Sequence, residues 1–246
     1  MPSRTARRLV TGVFAVAIGA LVVAPATDVR VVHAAGAERS SSGAVAAAAG
    51  IYEVLQRDGS GRPDQWMACG PIDYRINPRD EPTGLTAVVR RSMAAIGTQL
   101  GVRFRYAGRT SHTFGATTHA RTPTIYLGFT KARSAVGVTF GWPGTIGLGG
   151  PVAEWRSTAT GSSELITYGR VLLSTRFNGA RYGSGQTWQA LITHEVGHAL
   201  NLTHRTSSSS VMYPSLTDRS PARFSAAEVR ALKRVLRTAH CAPSGS

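Results

Sequence analysis

The sequence predicts an α/β domain in which a mostly parallel twisted sheet lies on two helices, followed by a small C-terminal part. Three observations predict it. Short segments of alternating apolar and polar residues recur through the first three quarters of the chain. Two longer segments carry apolar residues at helical spacing. The resulting order is strand, helix, four strands, helix, loop, helix, which suits an α/β layer arrangement.

Taken in order, Tyr52 to Gln56 reads as a short strand, and Arg57-Asp58-Gly59-Ser60-Gly61 is a turn cluster. Gln65-Trp66-Met67 then reads as the partner strand of a hairpin. Ile72 to Asn77 alternates and stops at Pro78. Leu85 to Leu100 places Leu85, Val88, Val89, Met93, Ile96 and Leu100 on one face, which predicts a helix. Val102 to Tyr106 and Thr122 to Phe129 alternate again. A glycine-rich stretch leads into Pro151 to Trp155, and Leu165 to Phe177 reads as a further strand. Gln186 to Leu200 is helical. Ser225-Ala226-Ala227-Glu228 is a capping box that opens a last helix ending near Leu236.

The chain has 246 residues, enough for one good-sized domain plus a leader. Residues 1–35 read as an export signal: Arg4, Arg7 and Arg8 precede an apolar run from Leu9 to Ala26, with candidate cleavage sites after Ala26 and Ala34. An uncleaved membrane anchor is the alternative, because the run approaches the ~20 residues that span a bilayer. Residues 36–50 are small and polar, a flexible linker, and the domain is expected over 51–246. Cys69 and Cys241 are the two cysteines, and in an exported chain an even count predicts a disulfide between them. The net charge is +15, carried almost wholly by arginine. Compositional bias accounts for it first. Loose association with anionic cell-wall or surface polymers is the functional alternative. The arginines are scattered rather than clustered with aromatics, so no specific nucleic-acid partner is expected. Nothing in the pattern calls for more than a monomer.

The chemistry concentrates in His194-Glu195-Val196-Gly197-His198-Ala199-Leu200-Asn201-Leu202-Thr203-His204. Histidines four apart share a helical face and can bind one metal ion. Glu195 then stands beside the ion's open position. His204 can join only if the chain turns sharply after Leu200, and Asn201 is suited to the left-handed conformation that such a turn needs. A lone histidine is ordinarily a hydrogen-bonded core or surface residue; the spaced set is what points to metal. Three neutral imidazoles leave Zn²⁺ one open coordination position, the mark of a catalytic centre. Glu195 would act as general base toward water and then pass its proton to the leaving amine.

The extended motif, followed by Val211-Met212-Tyr213-Pro214, resembles the metzincin zinc endopeptidases, and most of all the matrixins in a small bacterial secreted form. The resemblance implies a zincin-type α+β fold: a five-stranded, mostly parallel sheet with one antiparallel edge strand, packed on two long helices, with a small C-terminal subdomain ending in a helix. It implies peptide or protein substrates, one catalytic Zn²⁺, and Met212 as an apolar floor beneath the metal. It also implies substrate pairing along Gly147 to Glu154, whose glycine-rich backbone suits an added strand. Tyr213, Pro214, Ser215 and Leu216 would form the outer wall of the substrate pocket. The sequence departs from the family in having Asn201 for the usual glycine and Pro214-Ser215-Leu216 for Pro-x-Tyr. His112 and His119 lack acidic neighbours, so a second zinc is not expected and calcium finds no support. Met67 to Pro71 resembles a cysteine switch, but Cys69 lies within the domain and has Cys241 available as a partner. Two other readings stand beside the endopeptidase: a zinc amidase acting on cell-wall peptides, and an inactive peptide- or wall-binding homologue, which would have no need of Glu195.

Overall fold

The computed structural model describes residues 29–30, 54–58, 61–67, 70–112, 114, 122–131, 134–135, 138–139, 145–158 and 161–237. The elements in chain order are β1 (Val29–Arg30), β2 (Gln65–Trp66), β3 (Ile72–Ile76), α1 (Leu85–Leu100), β4 (Phe104–Arg109), β5 (Thr124–Thr130), β6 (Ser134–Ala135), β7 (Val138–Thr139), β8 (Gly147–Thr158), β9 (Gly161–Ser174), α2 (Trp188–Ala199), β10 (Ser215–Leu216) and α3 (Ala226–Val235). The leader and linker expected over 1–50, apart from β1, lie outside these residues, as do Cys69, Cys241 and His119.

The central sheet runs β4–β3–β5–β9–β8. Its first four strands are mutually parallel, and β8 is the antiparallel edge. This is the sheet that the resemblance implies. Parallel strands are covered on both faces and therefore read as apolar-rich; β3 and β5 bury Ile72, Tyr74, Ile76, Ile125, Leu127 and Phe129. The two-residue β2 pairs in parallel with Leu165–Ile166 of β9, just before the stretch that β5 occupies. The expected hairpin ahead of β2 forms only in part. Its turn closes through Asp58 and Arg62, and Arg57 bridges Pro63. Gln65 and Trp66, however, take β9 as their ladder partner. Local alternation reveals a strand but not its neighbour, and burial of Trp66 against the sheet decides the pairing.

α1 buries the apolar stripe Leu85, Val88, Val89, Met93, Ile96 and Leu100. It ends at Gly101, whose φ of 68° is the left-handed closure that glycine adopts without strain. α1 packs on α2, which lies against β8 and β9, while α3 closes on α1 and β2. α2 starts at Thr187, whose side chain accepts a hydrogen bond from the Ala190 N–H at 3.1 Å. α3 opens with the expected capping box of Ser225 and Glu228. β1, inside the predicted leader, runs antiparallel to β10. No helix among the described residues is long and apolar enough to cross a membrane.

Candidate metal centre

α2 is buried at every position but Gln189 and sits close against the sheet. Three glycines make this possible. A Cβ on Gly149 would collide with the Glu195 carbonyl, one on Gly147 with the Glu195 carboxylate, and one on Gly169 would press on Ala199 at 3.0 Å. The glycine-rich start of β8 is thus buried rather than exposed: residues 147–151 are all covered. These glycines clear space for α2, a use that the sequence reading did not assign to them. Among the described residues β8 pairs with β9 alone.

The helix carries His194 and His198 on one face, with their Nε2 atoms 2.9 Å apart. It ends after Ala199, and Asn201 takes a φ of 83°, turning the chain back on itself. The Leu202 N–H closes the turn on the Gly197 carbonyl at 2.9 Å. This reversal brings His204 to the other two rings, with centroids 5.3 Å from His194 and 4.7 Å from His198. A ligand atom from each of the three lies within 4.8 Å of the others. Among the described residues this is the one cluster of three or more metal-ligand side chains.

Hydrogen bonding assigns the protons. His194 Nδ1 faces the Val211 carbonyl at 2.6 Å, and His198 Nδ1 faces the Leu202 carbonyl at 2.7 Å. A carbonyl only accepts, so each Nδ1 carries the hydrogen, and each Nε2 of a neutral ring presents a lone pair. Two lone pairs 2.9 Å apart repel unless a cation lies between them. Backbone carbonyls that orient ligating imidazoles from behind are also the usual outer support of a zinc site. The residues present therefore fit Zn²⁺.

Glu195 is fully buried, and neither carboxylate oxygen meets a protein hydrogen-bond partner. Burial pushes its carboxyl well above the ordinary carboxylate range. A buried carboxylate without a protein partner is costly, and the cost is understandable where water and a metal ion are to be handled.

The matrixin peptidase family matches residues 153–235, a span running from β8 through α3 that contains all three histidines, Glu195 and Met212. Over that span the chain is similar to the matrixin peptidases. Among solved structures the chain is similar to archaemetzincin from Methanopyrus kandleri, at 14% identity over 68% of this chain and 96% of that one, with a TM-score of 0.45. It is also similar to metalloproteinase-II from Bacteroides fragilis, at 12% identity over 71% of this chain and 56% of that one, with a TM-score of 0.44. No curated protein matches.

Below the three histidines Met212 is completely buried against the underside of α2. A Cβ on Gly197 would collide with its sulfur, so the glycine inside the histidine motif is what admits the methionine. The turn that carries Met212 is held by a relay: the Met212 N–H donates to Ser210 Oγ at 2.9 Å, and the Ser210 hydroxyl donates to Glu228. Glu228 also accepts from the Ser225 N–H at 2.6 Å, so the capping box of α3 doubles as an anchor for the methionine turn. The sequence reading found Glu228 only as a cap. Its complete burial is the part that local pattern does not reveal. Of the expected pocket wall, Tyr213, Pro214 and Ser215 are half-buried, whereas Leu216 is in the core. His112 stands apart from the centre, stacked on Tyr126 with ring centroids 4.3 Å apart. Burial, and then the nearby Arg170, lower its pKa.

Proposed function

We propose that the chain is an exported endopeptidase in which His194, His198 and His204 hold Zn²⁺ and Glu195 is the general base. The observation that carries this reading is the convergence of three imidazoles, the first of them followed on α2 by a buried carboxylate that has no protein partner. Bound there, zinc supplies Lewis acidity toward water and toward the scissile carbonyl. Glu195 takes the proton from the attacking water as the new C–O bond forms. It returns that proton to the amine as the C–N bond breaks. Met212 and the apolar residues around it exclude water from beneath the ligands. Tyr213, Pro214 and Ser215 serve as the wall on the leaving-group side, and the partly exposed stretch of β8 from Val152 to Glu154 offers the backbone along which an extended peptide pairs. The leader over 1–35 supports export, and the net charge of +15 supports loose attachment to anionic surface polymers.

The test is digestion of a peptide library by purified protein lacking residues 1–35, with and without a chelator. Internal cleavage that the chelator abolishes and added zinc restores is the expected result. Cleavage that the chelator leaves untouched refutes the reading.

A further inference from the structure

We propose that Asn201 is a positioning residue of the zinc site, clasping the N-terminal hairpin to the turn between the second and third ligands. This inference rests on the zinc reading above.

The backbone at Asn201 sits at φ 83°, a conformation that glycine adopts without strain. Backbone geometry alone therefore favours glycine, and the presence of a side chain calls for its own reason. That side chain is fully buried, both its amide hydrogens are donated and its oxygen accepts. Oδ1 accepts from the Gln56 N–H at 2.8 Å, while Nδ2 donates to the Gln56 carbonyl at 3.1 Å and to the Asp64 carbonyl at 3.2 Å. All three bonds go to backbone 137 or 145 residues away in the chain. The backbone adds a fourth: the Leu55 N–H donates to the Asn201 carbonyl at 3.2 Å.

The clasp reaches the metal ligands through Leu202. Val54 forms an antiparallel bridge with Leu202, and the Leu202 carbonyl accepts the Nδ1–H of His198. On the other side of the turn the chain runs directly to His204. Val54, Leu55, Gln56 and Asp64 thus hold, from outside the motif, the carbonyl that orients one ligand and the reversal that delivers another. The hairpin that precedes the sheet is part of the metal site.

The experiment starts from elemental analysis of wild-type protein lacking residues 1–35. Zinc affinity is then measured by competition with a chromophoric chelator for wild type, Asn201→Gly and Gln56→Pro. Asn201→Gly keeps the turn conformation and deletes the three side-chain bonds. Gln56→Pro deletes one donor to the clasp without touching the motif. Zinc binding should weaken about 10–100-fold in Asn201→Gly, the usual effect of losing an outer support, and in the same direction but less in Gln56→Pro. The visible spectrum of the cobalt-substituted protein should change in Asn201→Gly, because the ligand geometry relaxes. Wild-type affinity and an unchanged cobalt spectrum in both variants would overturn the proposal, even if their melting temperatures fell. Should Asn201→Gly fail to fold, Gln56→Pro decides the matter by the same two readouts. Absence of stoichiometric zinc in the wild type would overturn the zinc reading itself, and the clasp with it.

Discussion

Replacing Glu195 by alanine separates metal binding from chemistry. The carboxylate has no protein partner and lies outside the histidine cluster, so Glu195→Ala should retain stoichiometric zinc and lose about 10²–10⁴ in turnover. Elemental analysis and single-substrate kinetics on one preparation read both. Gly197→Ala tests the floor beneath the metal. Its new methyl must displace the Met212 sulfur, and overpacking of this kind destabilises by about 1–3 kcal/mol. Chemical denaturation measures it, and an unchanged midpoint would show that the floor yields freely. Asp64 gives a pH signature. Desolvation first, then Glu164 and Asp58, raise its pKa from 3.8 to about 7. The folded state therefore holds a proton that the unfolded chain releases near pH 4. The associated stability is complete below that pH and is lost as pH rises toward 7. Asp64→Asn should flatten the dependence of melting temperature on pH and melt higher than wild type above pH 7. Each kcal/mol corresponds to about 2–4 °C in a chain of this size.

At the scale of elements, how much the sequence shows depends on whether the signal is local. The stripe on α1, the capping box of α3 and the histidine spacing on α2 are local patterns, and all three appear where expected. The turn at Asn201 is also local, because few residues other than glycine accept its backbone angle. What sequence did not reveal is tertiary. The ladder between β2 and β9 depends on where Trp66 finds burial. The purpose of Gly147 and Gly149 emerges only once α2 lies across β8. Glu228 looks like an ordinary cap until Ser210 is placed against it. The joint between α3 and the methionine turn can be tested as a unit. Glu228→Ala removes the reciprocal cap and leaves the buried Ser210 hydroxyl hydrogen without its acceptor, which should cost about 1–3 kcal/mol in thermal or chemical unfolding. Ser225→Ala removes only the cap and should cost about 1 kcal/mol. Equal costs for the two would dissolve the proposed joint.

For the molecule as a whole, metal and cross-link should act on different states. Zinc binds the folded chain, so a chelator should lower the melting temperature, and excess zinc should restore it in a concentration-dependent way. A Cys69–Cys241 bridge would act mainly on the unfolded chain. Closing so long a loop is worth roughly 4–5 kcal/mol in the chain-entropy model, so a reductant should lower the melting temperature even with zinc saturating. Mass spectrometry that finds two free thiols in exported protein would dismiss the cross-link.

The bare backbone around α2 has one more consequence. A helix wedged between Gly147, Gly149 and Gly169 on one side and Met212 at Gly197 on the other has no slack in which to slide or roll. Its two histidines are therefore already aimed before any ion arrives. Capture of zinc then demands little ordering of the protein, and escape requires prying apart a jammed interface. A tightly held ion with a slow departure is what such a mounting should give.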